Sequence, residues 1–454
     1  MNALRADGFP EDQVRHRARA GAAAVFPPGA DYGSVLFGGA PYSGDAASAD
    51  TGSPGSPDPL DQARLVPPVF MPQRLEKLID LGREPLYSDV DLTTDVGGLR
   101  SPLPVYVSAF GSTRAASAEV GAAASRQAGR LGLPMVIGEN VVPHGGYGRA
   151  ADDDAERSML RRMRAYGEAL PDGFGGVVVQ QSTEDADAEV WNLVYSDPSA
   201  LPLLASGRLA FELKVGQGAK PGLGGMTLVD PATADRLRGI YQLEAVDGTG
   251  ASLRSSSPGT YTEEILRQQI RLMRNNFPRA HVWVKLPPAR DVAVAAAVAW
   301  EAGAAAVTVD GAEGGTGWAP NAFLDHVGLP LGECLARIGG GSSGSGGSGG
   351  SSAGPDDGFA GALLASGRMW EGARAVKALA LGCRAVGLGR AALLASDEDR
   401  AAGLERFVQA LALEMRMLIS ALGRYAPGDL RPEDLWQPAR PRPAVPEPEA
   451  VRRP

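Results

Sequence analysis

Phe211-Glu-Leu-Lys-Val-Gly-Gln-Gly-Ala-Lys-Pro-Gly-Leu-Gly-Gly225 is the stretch that decides the fold. A short apolar run carrying Lys214 passes straight into a loop with Gln217, Lys220 and five glycines. Glycine has no Cβ, so backbone in such a loop can approach a ligand closely. Lysine and glutamine supply fixed donors. An apolar strand followed by glycines and polar donors is how an α/β protein places a site at the carboxyl end of a strand.

Outward from this stretch lie similar apolar runs. Residues 105–110, 134–139 and 176–181 precede it, and 281–286, 305–310, 362–366 and 385–389 follow it. Alanine-rich or amphipathic stretches separate them, as at 116–131, 263–276, 292–302 and 372–381. Continuous apolar strands alternating with helices indicate a parallel sheet covered on both faces. With 211–215 there are eight such strands, which predicts an α/β fold of the (β/α)8 TIM barrel type, with a doubly wound open sheet as the alternative.

The barrel is expected over residues 104–396. Residues 1–60, rich in Gly, Pro, Ser, Asp and Ala, read as a largely flexible N-terminal segment. Residues 61–103 read as a lead-in segment packed on the barrel, 397–437 as a C-terminal helical extension, and 438–454 as a Pro/Arg-rich tail. A Gly/Ser-rich tract opens at Gly339, and residues 339–358 read as a disordered loop. It falls between helix six and strand seven, on the face opposite the expected site, and is either natural or an engineered insert.

A net charge of −9 over 454 residues, with no basic run before the Arg-Pro tail, argues against a nucleic-acid partner. Two cysteines, Cys334 and Cys383, are too few for a disulfide framework or a cysteine-ligated zinc or iron–sulfur cluster within this chain. The first residues lack a charged start followed by an apolar run, so no secretory signal is expected. The longest apolar run, 292–300, falls short of the ~20 residues that span a bilayer. The expectation is a cytoplasmic protein without a membrane partner.

Barrel enzymes commonly hold a phosphate with the loops after strands seven and eight. Ala365-Ser-Gly-Arg368 and Gly387-Leu-Gly-Arg390 stand at those ends, each with glycine amides beside an arginine. Amides and a guanidinium suit a phosphate dianion. Ser206-Gly-Arg208 shows that the triplet also occurs elsewhere, and two helix starts with solvated arginines are the alternative. After strand six, Asp310-Gly-Ala-Glu-Gly-Gly-Thr-Gly317 can wrap a flat ring or a phosphate. After strand one, Ser108-Ala-Phe-Gly-Ser112 can lie along a ring edge. Lys285 ends strand five, and a lysine buried there needs an anionic partner. The N1–C2=O region of a reduced flavin wants such a cation.

Gly216-Gln-Gly-Ala-Lys-Pro-Gly222, Val282-Trp-Val-Lys-Leu286, Gly314-Gly-Thr-Gly317 and Ala365-Ser-Gly-Arg368 together resemble the FMN-binding domain of glutamate synthase, in family order over about residues 100–396. Asn276-Phe-Pro-Arg-Ala-His-Val282 matches the family's approach to strand five. The resemblance implies FMN as cofactor. It places Ser108, Ala109, Phe110 and Gly111 along the flavin ring and Lys285 near its pyrimidine side. Gly315, Thr316 and Gly317 would follow the cofactor, and Ser366, Gly367, Arg368, Gly389 and Arg390 its phosphate. The family's grip on 2-oxoglutarate maps to Glu139, Lys214, Gln217 and Arg238, with Lys220 as a second lysine. Arg238 reads equally as a surface arginine on a helix. The catalytic candidates are therefore Lys285, Glu139, Lys214 and Gln217. The substrate-binding candidates are Lys220, Arg238 and His144, the last either an acid or base at the mouth or a loop histidine without a role.

The chain also departs from that family. Residue 2 is Asn where an amidotransferase cysteine nucleophile is expected. Ser396-Asp-Glu-Asp-Arg400 stands where the family has a cysteine cluster, Leu223 and Met226 replace polar loop residues, and paired histidines before Tyr261 are missing. What the resemblance leaves is an FMN-dependent oxidoreductase. It would move a hydride between flavin N5 and an amino, imino or keto acid-like substrate, one larger or less polar than 2-oxoglutarate. Bacterial specialised metabolism is the expected setting and a homo-oligomer the expected assembly. Electrons would go to or come from a separate partner protein, or pass to oxygen. The alternatives are a synthase subunit fed with ammonia and electrons by partner chains, or a non-catalytic flavin-fold subunit.

Overall fold

All eight apolar runs become strands: β1 Val105–Val107, β2 Met135–Ile137, β3 Val177–Ser182, β4 Leu209–Lys214, β5 His281–Leu286, β6 Ala306–Asp310, β7 Ala362–Ser366 and β8 Ala385–Leu388. This computed structural model describes residues 8–31, 58–110, 118–138, 153–183, 190–220, 226–238, 242–254, 259–315, 319–340 and 361–437, with residues 4, 6 and 33. The strands pair in parallel, each with its chain neighbour, and β8 closes on β1. The open-sheet alternative is thereby excluded. Helices such as Ala118–Leu131, Glu263–Asn276, Val292–Glu301 and Gly372–Ala380 cover the outside.

A strand alternates its side chains, and here the two faces meet different partners. Val107, Val179, Phe211, Val284, Val309 and Val386 point out into the shell under the helices. Tyr106, Val136, Val178, Ala210, Trp283, Ala306, Leu364 and Ala385 point in and fill the barrel floor. Tyr106 and Trp283 meet edge to face there, with ring centroids 6.1 Å apart.

The lead-in segment plugs the amino-terminal end of the barrel. Its hairpin, Thr94–Val96 against Leu99–Ser101, drives Val96 and Leu99 into the floor cluster. The Trp283 indole donates to the Gly97 carbonyl at 2.9 Å. Gly97 has φ 60°, and a Cβ there would lie 2.6 Å from the Ala306 methyl. Gly97→Ala is therefore expected to cost about 2 kcal/mol through strain and overpacking. The urea midpoint should fall with an unchanged slope, and an unmoved midpoint would mean that the hairpin does not plug the floor.

Two elements depart from the expectation. Residues 1–60 read as largely flexible, yet Glu11–Ala20 is a helix. It docks on the closing helices Arg390–Glu398 and Gly403–Ala421 through both charge and apolar area, Val14 and Ala18 being fully buried in the core. Arg15 reaches Asp397 and Glu398 at 3.2 and 3.0 Å, and Arg17 makes a two-pronged contact with Glu414. Between β4 and β5 the chain also forms an antiparallel sheet of Thr227–Val229, Ala251–Arg254 and Leu243–Val246, with Ala251–Arg254 in the middle. Its strands are short and largely solvent-facing, so no apolar run marks them. Residues 341–358 of the Gly/Ser tract and the tail 438–454 lie outside the described residues. Among the described residues no helix is long and apolar enough to cross a membrane.

Candidate active site

The alternation that fills the floor continues upward with polar side chains. On β4 the inward positions are Ala210, Glu212 and Lys214; on β5 they are Trp283 and Lys285. Parallel register sets Gln180 beside Glu212, Lys285 beside Thr308, and Asp310 beside Ser366. Glu212 is 1% exposed. Its carboxylate accepts a hydrogen bond from Gln180 Nε2 and another from Thr308 Oγ1, the latter at 3.0 Å. Burial pushes the Glu212 carboxyl above its ordinary range, while Lys285 and the two donors pull the other way.

Lys285 finds the anion that its burial requires. Its Nζ lies 3.1 Å from Asp310 Oδ2, both side chains being almost fully enclosed. Asp310 also accepts a hydrogen bond from the Ser366 hydroxyl. Ser366 thus uses its hydroxyl hydrogen on Asp310. The sequence reading selected none of Gln180, Glu212, Thr308 and Asp310. Counting back two from Lys214 finds Glu212; the other three need the strand register.

Above the floor, the Ser108 hydroxyl and the phenol oxygen of the floor residue Tyr106 are buried without a hydrogen-bond partner. Ala109 is half-buried and Phe110 is buried, with the Arg162 guanidinium 5.2 Å above the Phe110 ring. After β7, Gly367 takes φ 125° and Arg368 φ 50°. Two such residues in a row make a tight turn that only glycine enters easily. The Gly367 carbonyl is pinned by Arg374 Nε at 3.2 Å. After β8, Gly389 precedes the helix Arg390–Glu398. Arg368 and Arg390 are both exposed, and Arg390 stands 5.8 Å over the Phe9 ring.

The remaining candidates separate. Gln217 Nε2 donates to the Gly315 carbonyl at 2.8 Å, so it ties the β4 loop to the glycine loop after β6. Lys214 and Lys220 are half-buried, and each has an interaction partner. Arg238 is not brought to the mouth by any described contact. It follows the helix Pro231–Leu237, is exposed, and pairs with Asp235 at 2.8 Å. Gly111, Glu139, His144, Leu223, Thr316 and Gly317 lie outside the described residues.

A second buried cluster supports the rim. Arg374, 1% exposed, donates to Asp58 and Glu313 at 2.6 Å each and also to Asp61. Asp58 caps the short helix Pro59–Gln62 and accepts from the Gly332 amide at 2.9 Å. One guanidinium thus joins the lead-in segment, the β6 loop and the β7 turn. Burial, reinforced by Asp58, pushes the Glu313 carboxyl up to about 8.

These features fit a flat polar ring with a phosphate tail. Two buried hydroxyls without partners lie on and just after β1, and a fixed ammonium lies at the end of β5. Glycine turns beside two exposed arginines follow β7 and β8. Such an arrangement defines a phosphate-cofactor barrel with its site at the carboxyl ends of the strands. A family model described as the conserved region in glutamate synthase matches residues 153–402, and the chain belongs to that family. The domain family binds FMN. Similar relatives include an archaeal-type glutamate synthase [NADPH] of Thermotoga maritima, 33% identical over 242 residues covering 52% of this chain and 44% of that protein. A glutamate synthase large subunit-like protein of Rhizobium meliloti is 30% identical over 251 residues, 55% of this chain and 53% of that protein. The chain thus spans about half the length, or less, of the curated relatives it matches. Among solved structures, an active chimera of (S)-mandelate dehydrogenase superposes with a TM-score of 0.53 at 18% identity, covering 95% of this chain and 99% of that one. A flavocytochrome b2 variant with sulfite bound gives 0.52 at 18% identity, covering 83% and 76%. At such identities the likeness speaks for the fold.

Proposed function

We propose that the barrel mouth holds FMN and that the protein is an oxidoreductase acting on an amino, imino or keto acid-like substrate. The observation that carries this reading is the enclosed Lys285–Asp310 pair beside the unpartnered Ser108 and Tyr106 hydroxyls. When bound, FMN supplies hydride transfer at N5. The chain's own residues bind and orient. Asp310 and Ser366 hold the Lys285 ammonium in one place, so a fixed positive charge faces the ring without reorganisation. Ser108 and Tyr106 offer hydroxyls to its polar edge. The Gly367 and Gly389 turns, with Arg368 and Arg390, receive the phosphate. Gln217 closes the β4 loop against the glycine loop and narrows the mouth. Lys214 and Lys220 supply cations for a substrate carboxylate. Glu139, His144, Gly111, Thr316 and Gly317 retain the roles that the family resemblance implies.

A partner chain that supplies electrons is part of the proposal. Cys334 and Cys383 are the only cysteines of the sequence and both are buried, too few for an iron–sulfur cluster. A synthase subunit that works with partner chains is the second reading, favoured by the match to the conserved region in glutamate synthase.

The test is the visible absorption spectrum of the purified protein, with the cofactor released by heat and identified by mass. FMN should be found, and anaerobic bleaching by candidate amino or hydroxy acids should identify the substrate class. A colourless protein that takes up no added FMN would end this reading.

A further inference from the structure

Beside the mouth, over the end of β5, lies a cavity of about 390 Å³. Lys220 of the β4 loop lines it, with Pro287, Pro288 and Arg290 of the β5 loop, and with Leu329 and Arg337 from the segment after β6. The walls are fixed. The Leu329 amide donates to the Pro288 carbonyl and the Ala312 amide to the Leu329 carbonyl, each at 2.9 Å. Gly328, at φ 101°, packs so closely that a Cβ would lie 2.9 Å from Pro288. A cavity of this size can take a small ligand.

Its chemistry is one-sided. Prolines and Leu329 form apolar walls, the charged side chains are Lys220, Arg290 and Arg337, and no described carboxylate lines it. Arg337 is committed, since it pairs with Glu333 at 2.8 Å and donates to the Arg290 carbonyl at 2.7 Å. Arg290 itself is exposed and has no carboxylate partner among the described residues. Arg337 therefore fixes the backbone of Arg290, which lines the cavity.

We propose that this cavity is a ligand subsite for an oxyanion head, carboxylate or phosphate, carried on a short apolar stem, with Arg290 as its anchor. A guanidinium binds either oxyanion with two parallel hydrogen bonds.

The test is calorimetric titration of the full chain with hexanoate, hexyl phosphate and 1-hexanol, in the presence and absence of FMN. At least one anion should bind with 1:1 stoichiometry, and hexanol at least about tenfold more weakly. Arg290→Gln should weaken the anions about tenfold while leaving hexanol unchanged, and Arg290→Lys should recover part of the loss. The exposed Arg290 side chain makes no described contact that would unfold the variant. Binding of neither anion, equal binding of hexanol, or equal binding by Arg290→Gln would each overturn the subsite. Anion binding that depends on Arg290 in a protein that takes no FMN would keep the subsite and remove the flavin reading. FMN uptake without anion binding would do the reverse.

Discussion

Lys285→Ala is expected to lose about 3–5 kcal/mol of stability and nearly all oxidoreductase activity, because it strips the cation from a buried pair. Lys285 and Asp310 have side chains 9% and 4% exposed and sit 3.1 Å apart. Glu212, enclosed on the next strand, also draws on the Lys285 charge. Burial already pushes the Glu212 carboxyl above its ordinary range, and loss of the ammonium removes the charge that pulls it back, so its folded value rises further above its unfolded one. The stability contribution of a raised acid is present below the unfolded value and is lost as pH rises through the folded one. The deficit against wild type should therefore be small at pH 5 and large at pH 8. Adding Asp310→Asn to Lys285→Ala removes one of the uncompensated charges. It should restore part of the stability but none of the activity. Urea unfolding at the two pH values reads the first effect, and turnover with an artificial electron acceptor reads the second. Unfolding of Lys285→Ala at the wild-type midpoint at both pH values would show that the pair contributes nothing to the fold.

The same pair shows what was legible in the sequence. Lys285 stands at the end of a continuous apolar run, so its strand, its burial and its need for an anion could all be read. Continuous runs are what a parallel barrel demands, because both strand faces are buried. Asp310 could not be assigned to Lys285, because that pairing depends on the register between β5 and β6. Glu212 lay within the most telling stretch, two residues before Lys214, and a period of two was enough to find it. The helix Glu11–Ala20 hid for a different reason. Its buried face mixes Arg15 and Arg17 with only Val14 and Ala18, too few apolar residues to mark a helix, and the partner of Arg17 stands 397 residues further along the chain. For Arg238 the sequence left a ligand arginine and a surface arginine equally open, and the structure gives an exposed arginine paired with Asp235 on its own turn.

Arg374→Met should be nearly as damaging as Lys285→Ala, at about 3–5 kcal/mol, since it leaves Asp58 and Glu313 buried without their shared cation. It also frees the Gly367 carbonyl at the phosphate turn, so FMN affinity should fall along with stability. The cluster carries a pH signature of its own. Glu313 has a folded value near 8 against an ordinary 4.5. The folded state therefore binds more protons than the unfolded state between those values, and stability should decline as pH rises from about 5 to 8. Each unit of such a shift is worth at most about 1.4 kcal/mol. Glu313→Gln keeps an acceptor for Arg374 and Leu331 but cannot ionise. It should match wild type near pH 5, exceed it at pH 8, and flatten the slope between. Flavin content should be unchanged in Glu313→Gln and reduced in Arg374→Met, because Arg374 is the residue that hydrogen-bonds the Gly367 carbonyl. A wild-type stability already flat from pH 5 to 8 would mean that Glu313 stays ionised beside Arg374. The rim would then be held by three ion pairs, to Asp58, Asp61 and Glu313, and not by a protonated acid.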